Sequence, residues 1–196
     1  MKKSTLLIIG VAVFLLLAGR WFVGTRNKLV VSDEAVKTSW SQVENVYQRR
    51  ADLIPNLVAT VKGVAGFEKE TYTAVADARS KVNNINMNGV LDDPAKFQQF
   101  QQSQGELGSA LSRLLVTVER YPQLRANENF RDLQVQLEGT ENRITVERRR
   151  FNETARVYNT AIRLFPGSIV AGMSGFTARD YFEAQAGAEQ APEVQF

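Results

Sequence analysis

Residues 47–58 read Tyr47-Gln48-Arg49-Arg50-Ala51-Asp52-Leu53-Ile54-Pro55-Asn56-Leu57-Val58, a polar cluster and a proline set inside an apolar stripe. Extended in both directions, Val36, Trp40, Val43, Tyr47, Arg50, Ile54, Leu57, Val61 and Val64 follow at alternating spacings of four and three. That is the repeat, about 3.5 residues long, of a helix packing along a seam. Arg50 is the one charge on this seam. Pro55 has no amide hydrogen for the carbonyl of Ala51 and its ring crowds that carbonyl, so a kink or break is expected there.

Two further seams follow. Phe97, Phe100, Gln104, Leu107, Leu111, Leu114 and Val118 repeat at threes and fours, with Gln104 as the polar member. Phe130, Leu133, Leu137, Thr140, Ile144, Glu147, Phe151, Thr154, Tyr158, Ala161 and Phe165 hold one register until Pro166, and Glu147 is their only charge. The spacing predicts helices over about 31–63, 67–82, from Pro94 to before Tyr121-Pro122, and from a cap at Asn127 or Asn129 to Phe165. Asp93-Pro94 is a cap residue ahead of a proline at the first helical position, and Gly63 and Gly66 separate the first two helices. Ser32-Asp33-Glu34 has the form of a helix start, a capping serine and two acids, which argues against continuity with what precedes it. Helices joined by short loops with sustained seams specify an all-α antiparallel four-helix bundle with coiled-coil-like packing.

Thr5 to Val23 is apolar apart from Arg20, near the 20 or so residues needed to span a bilayer. Arg20 can snorkel to the headgroups beside the interfacial Trp21 and Phe22. Leu17-Ala18-Gly19 followed by Arg20 makes a poor cleavage site, so the segment reads as an uncleaved transmembrane anchor rather than a signal peptide. Lys2 and Lys3 on one side balance Arg20, Arg26 and Lys28 on the other, and the positive-inside comparison chooses no side for the bundle. The chain therefore divides into an anchor over 1–26, a bundle over 27–182, and a flexible acidic tail over 183–196.

Composition excludes more than it assigns. There is no Cys and no His among 196 residues, which removes thiolate chemistry, lipoprotein acylation and the commonest base and metal ligand. No cofactor or metal is expected, and Asp92-Asp93 reads as capping because no third carboxylate stands at calcium-loop spacing. The net charge is +3, but four of the 24 basic residues (Lys2, Lys3, Arg20, Arg26) flank the apolar run, leaving 20 against 21 acids. A near-neutral bundle with interleaved charges offers nucleic acid no basic face.

Asp33-Glu34, Trp40, Gln48 to Val58, Val61-Lys62-Gly63 and Glu68-Lys69-Glu70 together resemble the N-terminal signature of the LemA family. Tyr121-Pro122, Leu124 to Phe130, Gly139 to Ile144, Tyr158-Asn159, Phe165-Pro166, Gly175-Phe176 and Phe182 resemble its C-terminal half. The resemblance implies a bacterial single-pass membrane protein with a four-helix bundle, and it assigns no catalytic residue.

Two candidate sites follow from the residues. Arg50, Gln104 and Glu147, as the polar members of three seams, could form one layer in the bundle, either fixing register or binding a ligand or peptide. Ile169, Val170, Met173 and Phe176, in the glycine-rich stretch after Pro166, exceed what one bundle end needs to cover and form a candidate contact region. The expected function is non-enzymatic: a protein of the bacterial cytoplasmic (inner) membrane acting by contact as scaffold or homo-oligomer. Its partners would be the lipid bilayer, further copies and other membrane proteins; the alternative is a binding module built on the polar layer.

Overall fold

The computed structural model describes residues 3–64 and 66–183. Six helices occur in them: α1 (Lys3–Lys62), α2 (Lys69–Asn83), α3 (Pro94–Val118), the single turn α4 (Pro122–Arg125), α5 (Glu128–Arg163) and α6 (Gly167–Ser174). No strand occurs among the described residues. The four long elements form the expected antiparallel bundle, with α1 packed along α5 and against α2, and α2 along α3. Along the α1–α5 pair Trp40 faces Phe151 and Arg50 meets Glu141, so the residue numbers run in opposite directions.

The fresh helix start expected at Ser32 does not occur. α1 runs unbroken for 60 residues, about 90 Å at 1.5 Å per residue. No proline or glycine interrupts Thr25 to Val30, and Asp33 has another use: its carboxylate pairs with Arg179 and Lys37 instead of capping an amide. Pro55 does not break the helix either. The Ala51 carbonyl that it frees accepts a hydrogen bond from Arg79 Nε of α2 at 2.9 Å, so a neighbouring helix supplies the missing donor.

The α1 seam from Val36 to Val61 and all seven α3 seam residues are buried. Asp93 caps α3 by accepting from the amides of Ala95 and Lys96, and Asn127 caps α5 through Phe130. On α5 the expected register holds through Phe151 and then drifts. Ala155, Asn159 and Ile162 join Tyr158 in the core, as expected of a helix of 3.6 residues per turn read against a 3.5 repeat; Phe165, 80% exposed, lies beyond the helix, which ends at Arg163 with Leu164 extended.

The core has two parts. An aromatic cluster near the anchor gathers Trp40, Phe97, Phe100, Phe151 and Phe182. A far cluster, mostly aliphatic, gathers Ile54, Leu57, Val75, Leu107, Leu114 and Leu137. After α6 the chain returns along the bundle as an extended strap, 176–183, and drives Phe182 into the aromatic cluster. The Asn152 side chain holds the strap at both polar atoms of the Phe182 backbone, each at 2.8 Å. Gly167 is required where α6 begins, because a Cβ there would stand 2.2 Å from the Ala161 carbonyl oxygen. The acidic tail expected at the C-terminus lies, from residue 184 onward, outside the described residues.

Candidate functional site

Arg50 comes from the middle of α1 and points into the bundle between the two apolar clusters, 3% exposed. Its Nη2 donates to the backbone carbonyl of Gln104 at 3.1 Å and to the Gln104 Oε1. Nη1 donates to Glu141 Oε1 at 2.9 Å. The guanidinium also lies over the Tyr47 ring, 5.0 Å from its centroid. Thr140, 1% exposed, completes the level and returns its hydroxyl to the Gln136 carbonyl.

Of the three residues expected in the layer, Arg50 and Gln104 lie together and Glu147 does not join them. Glu147 lies outside the layer and pairs with Arg150 on its own helix at 3.4 Å. The reason is the antiparallel register: Trp40 opposite Phe151 brings Glu141, not Glu147, to the height of Arg50. Glu141 falls one position after the seam residue Thr140, so it approaches from the flank and keeps 47% of its side chain in solvent.

The layer opens sideways. A groove of about 780 Å³ lies there, lined by Tyr47, Arg50, Gln104, Gly108, Glu141 and Arg148, with Glu183 at its edge. Gly108 keeps the wall thin beside Arg50, where a Cβ would stand 3.8 Å from Nη1. Arg50 Nε is buried without a hydrogen-bond partner. Burial raises the Tyr47 phenol above its usual range against the opposing charges of Arg148 and Arg50, so it stays protonated at neutral pH. Arg148 covers the Phe182 ring at 4.8 Å and donates to the Glu183 carbonyl. The groove presents the guanidinium groups of Arg50 and Arg148 and the carboxylates of Glu141 and Glu183; the guanidinium groups are suited to carboxylate or carbonyl oxygens.

A second polar knot has no seam to announce it. Arg179, on the strap, pairs with Asp33 at 2.7 Å, with Asp92, and with the Leu91 carbonyl at 2.9 Å. Its backbone amide and carbonyl are both held by the Asn159 side chain at 2.8 Å. Burial works to raise the Asp33 carboxyl, but hydrogen bonds and charge from Arg179 and Lys37 outweigh it and hold the group below its ordinary value. The knot ties the strap to α1, to α5 and to the loop before α3. Only the Tyr158-Asn159 pair and the strap's lone arginine between Phe176 and Phe182 hinted at it.

The expected contact region divides. Ile169 and Met173 are 50% and 73% exposed. Val170 is fully buried, and Phe176 packs partly buried against the aromatic cluster. A helix of eight residues lying on a core turns one face inward, so Val170 and Ala171 belong to the bundle itself while Ile169 and Met173 do not.

The LemA family model matches residues 39–196. The chain is 28% identical over 173 residues to the magnetosome protein MamQ of Magnetospirillum gryphiswaldense, covering 80% of this chain and 64% of that relative. It is 26% identical over 174 residues to magnetosome protein MamQ 1 of Paramagnetospirillum magneticum, with shares of 80% and 64%. To protein LemA of Metamycoplasma hominis it is 24% identical over 150 residues, with shares of 76% and 65%. The matched region is thus just under two thirds of the length of each relative. The Arg50–Pro55 string, the Tyr158-Asn159 pair and Phe182 all fall within the residues matched by the family model, and the chain belongs to the LemA family.

Proposed function

We propose that this chain is a non-enzymatic, single-pass protein of the bacterial cytoplasmic membrane whose bundle works by contact, through self-assembly, scaffolding of neighbours or organisation of the bilayer. The observation that carries the reading is the unbroken α1. Its first part is apolar and is not buried against the bundle, while its second part is a core helix of the bundle. Anchor and domain are therefore one rod, and a surface of the bundle is held at a fixed height above the membrane. Val135, Val146 and Val157 stand exposed on α5 at an eleven-residue spacing, which drifts little around a helix and makes one stripe. Such a stripe is suited to contact between upright copies. Crosslinking in native membranes, followed by extraction into polymer nanodiscs and native mass measurement, is expected to give species larger than one chain. A strictly monomeric protein at its native membrane density would overturn the self-assembly part of the reading.

The groove supports a second reading, a module that binds an acidic or carbonyl-rich segment, because the buried Arg50 Nε lacks an acceptor. Stability separates this from a register device. Arg50→Leu leaves the buried Gln104 side chain without its partner, a loss of about 1–3 kcal/mol, while Glu141 rehydrates at little cost. Adding Gln104→Leu is expected to recover most of that loss, since an apolar layer of similar volume is commonly neutral or better. The double variant, stable but unable to act in cells, would favour binding; a double variant that is stable and active would leave register as the whole role.

A further inference from the structure

The end of α5 and the start of α6 lie alongside the part of α1 that leaves the apolar segment. A hollow of about 550 Å³ is walled by Leu17, Arg20, Trp21 and Lys28 on one side and by Leu164 and Phe165 on the other. Phe165 therefore stands at the height of Trp21, the interfacial aromatic of the anchor. Around it Leu164, Phe165, Ile169 and Met173 are exposed by 61%, 80%, 50% and 73%, and no charged residue occurs between Arg163 and Arg179. Val170 and Ala171 fix α6 to the core, so the exposed side chains point away from the bundle by construction.

We propose that this α5–α6 corner is a second membrane contact, dipping into the headgroup layer of the leaflet from which α1 emerges. The inference rests on α1 crossing the bilayer, and it adds a wedge beside the anchor. Continuity argues for lipid as the occupant. From Leu17 to Trp21 is about 6 Å of helix rise, and interfacial helices bury their apolar face about 5–10 Å into the headgroup and acyl boundary. Charge argues the same way. Arg20, Arg26 and Lys28 of α1 and Arg163 at the end of α5 surround this height, with no acid on α1 before Asp33, a belt that suits anionic headgroups. A bundle attached at two points cannot swivel about its anchor, and the corner displaces lipid on one side only.

The chain has no cysteine, so single labels can be placed without background. L15C, F165C, M173C and A76C would each carry an environment-sensitive nitrobenzoxadiazole label in the full chain, reconstituted into phosphatidylcholine and phosphatidylglycerol vesicles. Lipids bearing a nitroxide in the headgroup or on the acyl chain serve as quenchers. Labels at F165C and M173C are expected to emit to the blue of A76C, which stands exposed on α2 beside the far cluster, and to be quenched by shallow nitroxides roughly threefold more strongly, as burial in the interface requires. L15C is expected to be quenched by deep nitroxides. Quenching of L15C with F165C and M173C both matching A76C overturns the wedge and leaves the anchor standing. An unquenched L15C removes the anchor and the wedge together. Blue-shifted corner labels that lipid nitroxides fail to quench would place a protein against the corner, and also overturn the proposal.

Discussion

Arg179→Ala is expected to be among the most destabilising single substitutions in the bundle, costing about 3–5 kcal/mol by the usual measure of a broken buried ion pair. The cost comes from what is left behind. Asp33, 8% exposed, keeps only Lys37, whose ammonium lies at 3.0 Å but is half in solvent. Asp92 is 70% exposed at its side chain and rehydrates almost freely, so its bond to Arg179 adds little. Asp33→Asn in the Arg179→Ala background should therefore recover a large part of the loss, whereas Asp92→Asn should not. Acid gives an independent reading. With Arg179 present the Asp33 carboxyl titrates below its ordinary value of about 3.9. Its contribution is complete above that value and is lost as pH falls through the lower, folded one. In the variant, burial without the guanidinium pushes the same carboxyl up, so it takes its proton earlier. The gap between wild type and variant should hold near neutral pH and narrow towards pH ~3. Urea unfolding of the full chain in detergent at the two pH values measures it. A gap independent of pH, or no recovery with Asp33→Asn, would remove Asp33 as the cause.

Periodicity carried much of the fold because seam residues report burial directly. Arg50 and Gln104 were legible for that reason, as charge and amide standing where apolar residues should be. Asp93-Pro94 and Asn127 were legible because capping is local chemistry, complete within a few residues. What failed needed knowledge of a partner. Ser32-Asp33-Glu34 has every local mark of a helix start, yet its carboxylate belongs to Arg179, 146 residues away in sequence. The acid opposite Arg50 depends on how α5 slides along α1, which neither helix states alone. Pro55 marked the orphan carbonyl of Ala51, but its donor, Arg79, comes from another helix 28 residues on. The strap is extended and used once, so no repeat advertises Arg179 or Phe182. Polar contacts between elements are where sequence reading ran out, and they are also where the groove and the knot lie.

Trp40→Ala is expected to match the Arg179 substitution in size and to differ in reach. Trp40 is 5% exposed and meets Phe97 at 5.7 Å, Phe100 at 5.2 Å, Phe151 at 5.6 Å and Phe182 at 6.0 Å between ring centroids. Those rings come from α3, α5 and the strap, which cannot all close on a vacated indole, so transfer and cavity terms together should cost about 3–5 kcal/mol. The polar layer at Arg50 separates this cluster from the far one. If the layer divides the core mechanically as well as chemically, the loss stays on the anchor side. Hydrogen exchange should then accelerate most in the strap and along α5 from Phe151 to Ile162. Amides of α2 and of α3 beyond Leu107 should keep most of their protection, as expected of units that open separately. Phe182 stacks nearly parallel on Trp40, at 15° between planes, so the strap should be the first element released, and with it the hold on α6 and the membrane-facing corner. Trp40→Phe, which keeps a ring in the cluster, should lose far less. Equal acceleration on both sides of Arg50 would mean that the bundle opens as one body and that the layer sets register without dividing the core.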